Sequence, residues 1–385
     1  MARKIPIAWL QLSKEKLRLL VALSGVSFAV ILVFMQLGFR GSVYESATRY
    51  QRGFDYDLVM LSPKTAFIGF PVSFSRRRLY QALGAEEVAS IAPVYVSQAY
   101  WKNPWEYNAR NILVVGIDPT RRVFTLPDVT RQLHILPLED RLLFDARSRP
   151  EFGPVATRFA EEGVVIAEVN DRHVTVAGLF QLGTSFGIDG SLVTSDVNFR
   201  RLFPQRPIGH IELGLLQLQA GADPTRVGAR LGAALENDVL ILTREQWIDR
   251  EGRYWASTTP IGFVFGFGAI MGLVVGGVIV YQILFADVSQ HEAEYATLKA
   301  MGYSNAFLSR VVLGEAAILT LFGFIPGLLV SVVLYRITAT ATRLPLEMTV
   351  GRGLLVLLLT AAMCGVAALV ALRKVRSADP AEVFG

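Results

Sequence analysis

A chain of 385 residues that is 52% hydrophobic and 18% charged, with a mean hydropathy of +0.40, is too apolar for an ordinary soluble enzyme and too charged to lie wholly in a bilayer. Its net charge of +5 is not a nucleic-acid signal: between Arg40 and Thr259 the 25 basic and 25 acidic residues cancel, and the excess flanks apolar runs. The single Cys364 excludes an intrachain disulfide and a cysteine-based zinc site.

Residues 1–18, MARKIPIAWLQLSKEKLR, mix Ile5, Ile7, Trp9, Leu10 and Leu12 with five basic side chains, the pattern of an amphipathic cytoplasmic segment at the inner headgroup level. Four apolar runs then follow that are each long enough to cross about 30 Å of hydrocarbon: 19–39, 260–286, 311–335 and 353–372. The first is longer than the core of a cleaved signal peptide, so a membrane span is expected there. Arg3, Lys4, Lys14, Lys16 and Arg18 precede it, and Arg373, Lys374 and Arg376 follow the last run. By the positive-inside rule both termini are cytoplasmic. Segment 287–310 and the tail 373–385 then lie inside; 40–259 and the short loop 336–352 lie outside.

The outer segment has the composition of a globular domain large enough for its own core. Residues 75–83 read as a helix, 88–100 as a β-rich run broken at Pro93, and 112–117 as a buried strand ending at Asp118-Pro119. Further strands are expected at 164–169, 174–179 and 191–194. The order strand 211–218, helix 224–235, strand 239–242 suggests a βαβ-like unit. Residues 120–159, rich in Arg, Pro and Asp, read as an insertion or subdomain. The fold expected is therefore an α+β membrane protein, four transmembrane helices with a large mixed α/β domain between the first and second.

The second run carries Gly262, Gly266, Gly268, Gly272 and Gly276, a small-xxx-small ladder that lets another helix approach closely, in this chain or in a homodimer. Pro326 predicts a kink in the third run. Glu315 is the one acid inside an apolar run; lying about one turn past Arg310, it is expected to pair with Arg310 or Lys299 rather than to relay protons.

Between the second and third runs stands DVSQHEAEYATLKAMGYSNAFLSR, residues 287–310. Ser289 with Glu292 has the form of a capping box, and Gly302 supplies a helix-ending left-handed residue. The helix so bounded is about 18 Å long. Tyr295, Leu298 and Met301 share a narrow apolar face by i, i+3 spacing, with His291, Glu292, Glu294 and Lys299 elsewhere on the circumference.

No lysine follows a glycine, so there is no GxxxxGK[ST] phosphate loop. HEAEY at 291–295 begins like a zinc-protease HExxH but places Tyr295 where the second histidine belongs. His134, His173 and His210 are scattered, and no GxSxG elbow occurs. The chain reads as catalytically silent, with no cofactor or metal of its own. The aromatic stretch YWKNPWEY, 100–107, reads as a partly buried corner, with a protein or lipid contact as the alternative; the run Arg76 to Arg78 reads as a solvated helix face.

These features resemble one family. One crossing, a large outer domain, three more crossings and an inner helix ending in Leu298-Lys299-Ala300-Met301-Gly302 look like the MacB/FtsX/LolC type of ABC transporter permease, type VII. Glu294 stands where that family's REIGILRAIG-like coupling segment has its glutamate, and Lys299 where it has an arginine; the arginines usual before the glutamate are missing. Gly314-Glu315-Ala316 and Asp379-Pro380-Ala381-Glu382 resemble its EA and C-terminal DPAE motifs. More closely, PIAWLQLSKEK, FMQLGFR, SFSRRRLYQALG, FDARSRPEFGP, YQILFADVS, EYATLKAMGY and MTVGRGLLVL resemble the DevC branch.

The resemblance implies a non-catalytic permease of the bacterial inner membrane, with the outer domain in the periplasm. It implies ATP and Mg on a separate ABC ATPase, and a periplasmic membrane-fusion protein joined to an outer-membrane channel. Two copies would work together by mechanotransmission, exporting a glycolipid or other hydrophobic cargo, with Glu292, Glu294, Tyr295, Leu298, Lys299, Met301 and Gly302 as the ATPase-coupling set. The alternative is an FtsX-like regulator of an envelope enzyme.

Overall fold

The structure, a computed structural model, describes residues 16–377; the segment before Lys16 and the motif at residues 379–382 lie outside the described residues. So do the side chains of Glu292, Leu298, Lys299, Lys374 and Arg376. In chain order the helices used below are α1 (Lys16–Ala47), α2 (Asp196–Leu202), α3 (Pro224–Ala234), α4 (Arg244–Arg253), α5 (Pro260–Gln290), α6 (Glu292–Ala300), α7 (Asn305–Thr342) and α8 (Val350–Ser377). The chain divides into two units: residues up to Ser42 with Pro260–Ala341 and the part from Leu346, and Val43–Thr259 with Thr342–Pro345.

In the first unit α1, α5, α7 and α8 are each long and apolar enough to cross a membrane. Small residues let them approach one another closely. A methyl group added to Gly323 or Gly327 of α7 would meet Val26 or Val30 of α1 at 2.5 and 2.7 Å. There the Ser27 hydroxyl donates to the Gly323 carbonyl at 2.9 Å. Farther along, the Tyr335 hydroxyl donates to the Phe34 carbonyl, satisfying a buried phenol. Helix α7 passes through Pro326 without a break.

The second unit is built on nine paired strands: β1 (Leu58–Leu61), β3 (Val88–Lys102), β4 (Ala109–Ile117), β5 (Arg141–Asp145), β6 (Val165–Val169), β7 (Arg172–Phe180), β8 (Ser191–Ser195), β10 (Leu213–Leu218) and β11 (Leu240–Thr243). A separate small pair joins β2 (Phe74–Ser75) to β9 (His210–Ile211). The large sheet runs β11-β1-β10-β3-β4-β8-β5-β7-β6, and β6 pairs back onto the end of β3 through Trp101↔Val169 and Lys102↔Glu168. Strands β3, β4, β8, β5, β7 and β6 therefore close on one another, which removes their edges. Residues 112–117 are buried without alternation because both faces of β4 are covered. Ile112 and Val114 join the core around Trp101, Phe144 and Phe152; Leu113, Val115 and Ile117 join that around Phe54 and Trp247.

Three expectations need correction here. Strand β3 is continuous through Pro93, which lies one residue before pairing with β4 begins, so its missing N–H interrupts little of the ladder. Strands β10 and β11 with α3 do form strand, helix, strand, but β1 lies between the two strands and is antiparallel to both. Residues 120–159 are no insertion, since β5 within them sits inside the sheet between β8 and β7.

Two buried side chains hold that segment in place. The Asp145 carboxylate accepts from the Arg147, Leu182 and Gly183 N–H groups at 3.0, 3.1 and 2.7 Å and from the Ser191 hydroxyl at 3.3 Å. The Asn198 amide, on α2, donates to the Leu136, Leu138 and Arg141 carbonyls and accepts from the Asp140 N–H. Asn198→Ala is expected to cost about 2–3 kcal/mol by orphaning these groups. Thermal melting of the full chain in detergent checks this, and an unchanged melting temperature contradicts it.

Candidate functional site

The polar segment between α5 and α7 is organised by one interruption. Helix α5 continues through Ser289 to Gln290, so Ser289 is a helical residue and not the N-cap its spacing with Glu292 suggested. The break falls at His291, whose N–H donates to the Asp287 carbonyl at 3.2 Å and whose carbonyl accepts from the Tyr295 N–H at 2.9 Å. Helix α6 then runs to Ala300. Gly302 adopts φ +92°, the left-handed conformation open to glycine, and ends it. Ser304 opens α7 by accepting the Phe307 N–H.

The side chains of α6 fall into two sets. Tyr295 and Ala296 are buried, whereas Ala293, Glu294 and Thr297 are exposed. Met301, just past the helix, is 63% exposed, so it does not continue the buried face that begins at Tyr295. Glu292, Leu298 and Lys299 occupy positions on α6 whose side chains lie outside the described residues. The segment thus has a buried anchor and a polar outer surface with a methionine at its end.

Sequence reasoning missed Asp287. The expected pairing of Glu315 with Arg310 is not formed: Arg310 is exposed, and the fully buried Glu315 carboxyl instead lies against that of Asp287, itself 4% exposed. The Asp287 carboxylate is also 3.7 Å from the His291 ring. No periodicity links residues on different helices, so composition alone could not have shown this meeting of α5, α7 and the turn at His291. Among the described residues no group of three His, Cys, Asp or Glu side chains is placed to hold a metal ion.

The glycine ladder divides. A methyl group on Gly268, Gly272 or Gly276 would meet Gln36, Leu32 or Ala29 of α1 at 2.5, 3.2 and 2.5 Å, so these three serve packing inside the chain. Gly266 faces open space, and Gly262, one turn earlier, is partly exposed. Beside them Phe263, Val264, Phe267 and Ile270 are exposed.

A second constellation, also unforeseen, ties α4 to the second unit. Arg244 donates to the Phe54 and Tyr56 carbonyls at 2.8 and 3.3 Å, and Arg250 to the Pro63 and Thr65 carbonyls at 3.1 and 3.0 Å. The Glu251 carboxyl, 2% exposed, accepts the Ile68 N–H at 3.3 and 3.4 Å. Burial pushes it up to about 8 against the Ile68 N–H, with Trp255 and Gln51 facing it. Directly after α4 the chain makes a five-residue π-turn, Tyr254–Thr258, and then enters α5.

Elsewhere, the 100–107 corner keeps Trp101 in the core with its indole donating to the Phe152 carbonyl at 3.1 Å, while Tyr100 and Tyr107 are exposed. Arg78 is not simply solvated, being bound by Glu236 and Asp238.

Four helices long and apolar enough to cross a membrane, among the described residues, point to a multi-pass membrane protein. Residues 266–380 match the FtsX-like permease C-terminal family. That match covers 115 of the chain's 385 residues. Among solved structures the chain is similar to the periplasmic region of MacB from Actinobacillus actinomycetemcomitans, at 13% identity over 50% of this chain and 92% of that one, with a TM-score of 0.34. It is also similar to the extracellular domain of the noncanonic ABC-type transporter YknZ from Gram-positive bacteria, at 12% identity over 49% of this chain and 99% of that one, with a TM-score of 0.32. No curated protein matches.

Proposed function

We propose that this chain is the transmembrane subunit of an ABC exporter of the DevC branch, converting ATP hydrolysis on a separate subunit into motion of its outer domain. The observation that carries the reading is α6: a short helix with exposed Glu294 and Thr297 and a buried Tyr295, inserted between two membrane helices inside the segment that matches the permease family. A partner ATPase binding ATP and Mg would grip that polar surface from the cytoplasm, with Tyr295 fixing α6 to its own unit. The stroke then has a path in the covalent chain, along α5 to the π-turn and into α4, whose arginines and Glu251 bind it to the second unit.

In this reading both termini are cytoplasmic, residues 40–259 lie in the periplasm, and two copies meet through the exposed face of α5 around Gly262, Gly266 and Phe263. The outer domain works with a membrane-fusion protein and an outer-membrane channel, and the cargo is glycolipid or a similarly hydrophobic molecule. Cells lacking the chain should retain at the inner membrane a lipid-class molecule that parent cells deliver outside. An unchanged lipid distribution with defective wall cleavage would replace export by FtsX-like regulation.

A further inference from the structure

The last residues before α5 build a cleft that neither the permease match nor the α6 reading employs. It has a volume of about 340 Å³ and is lined by Ala66, Arg250, Arg253, Tyr254 and Thr258, all within the second unit. Arg250 spends only its Nη2 on the Pro63 and Thr65 carbonyls. Arg253 spends only its Nε, on Asp249 at 3.0 Å. The remaining guanidinium donors of both make no bond among the described residues, and Tyr254 and Thr258, which carry hydroxyls, complete the lining. Asp249 pairs with Arg253 and the buried Glu251 lies near Arg250, while the cleft lining itself carries two arginines, no acid and several free guanidinium N–H donors. That is the chemistry of a phosphate receptor.

Next to it is a set of stacked rings. Phe67 lies 5.1 Å from Tyr254, 5.3 Å from Trp255 and 5.5 Å from Phe70, and Trp255 lies 6.4 Å from Phe186, measured between ring centroids. Phe70 is 62% exposed and Phe186 37% exposed, so part of this aromatic set faces outward. Thr258 is two residues before Pro260, where the apolar helix α5 starts, so chain reach alone keeps the cleft within about 10 Å of that start. Outward aromatic rings beside basic side chains at the mouth of a membrane helix match the interface between headgroups and acyl chains, where Trp and Tyr concentrate.

We propose that this cleft holds the phosphate of an anionic phospholipid headgroup, with Arg250 and Arg253 as its cation wall, Tyr254 and Thr258 as hydroxyl donors, and the Phe67–Phe70–Trp255–Phe186 rings against the adjoining acyl region. The occupant is a resident membrane lipid, and the assignment rests on the membrane placement of α5, not on export. It fixes the level at which the π-turn sits in the interface.

Native mass spectrometry of the detergent-purified full chain, titrated with phosphatidylglycerol, phosphatidylcholine and inorganic phosphate, tests it. Arg253→Gln, at an exposed position, is expected to weaken phosphatidylglycerol binding about fivefold, as loss of one interfacial cation should. Phosphatidylcholine binding should be weak and unchanged, and millimolar phosphate should not displace the bound lipid. Arg131→Gln, an equally exposed arginine elsewhere in the same unit, controls for net charge and should bind like the parent. Equal phosphatidylglycerol binding by parent and Arg253→Gln would overturn the proposal. So would an equal loss in Arg131→Gln, or displacement by inorganic phosphate, which would mark a free-anion site.

Discussion

Replacing Glu294, Thr297 and Met301 together by alanine is expected to reduce recruitment of the partner ATPase by about thirtyfold or more, with the chain still folded and inserted. All three positions, two on α6 and one just past it, are exposed, so truncating them opens no cavity in the chain's own packing. The few residues that dominate an interface each cost about 2 kcal/mol or more when truncated, and this short helix offers few others. Tyr295→Ala must be read differently. That ring is 2% exposed, so its removal should cost about 3 kcal/mol of the chain's own stability through the cavity it leaves. Recruitment assayed by co-purification, beside a melting curve for each variant, separates the two effects. Undiminished co-purification in the triple variant would remove α6 from the partner surface.

Glu251→Gln is expected to flatten the pH dependence of stability and to leave the variant more stable than the parent above pH 8. The folded-state carboxyl sits at about 8 against an ordinary value of 4.5, because burial penalises its charged form. A carboxyl raised in the folded state contributes stability that is fully present below the unfolded value of 4.5. That contribution is lost as pH rises towards 8. At about 1.4 kcal/mol per unit, the swing is on the order of a few kcal/mol. Above that range the ionised group is buried with the Ile68 N–H as its close donor, so the hold of α4 on the loop at Ile68 should loosen. Glutamine keeps the acceptor for Ile68 and cannot ionise. Melting of the full chain in detergent from pH 5 to 9 checks this; parallel curves for parent and variant contradict it.

Much of this architecture could be read from the sequence because its signals are local. Apolar runs of membrane length, Gly302 at the end of a helix, and the doubly buried strand at residues 112–117 each follow from consecutive residues. What escaped is what depends on residues far apart in the chain. Strand β5 looked like part of an insertion because its neighbours β8 and β7 come later in sequence. Pro93 looked like a break because nothing local shows that it precedes the start of the β4 ladder. Ser289 had the spacing of a cap, but helix α5 continued past it, since propensity within an apolar helix outweighed a competing side-chain bond.

The same division holds for the candidate site. The exposed Glu294 and the buried Tyr295 were both singled out from their positions around a helix. Asp287 against Glu315, and the grip of Arg244, Arg250 and Glu251 on backbone groups, are tertiary meetings that no spacing encodes.

The central claim is that α6 is presented to the cytoplasm, where an ATPase can reach it. The chain's one cysteine, Cys364, is buried, so a cysteine introduced at the exposed Thr297 gives a single reactive reporter. A membrane-impermeant maleimide should leave Thr297→Cys unlabelled in cells with a permeabilised outer membrane and an intact inner membrane, and label it once the inner membrane is opened. Labelling before the inner membrane is opened would contradict the account.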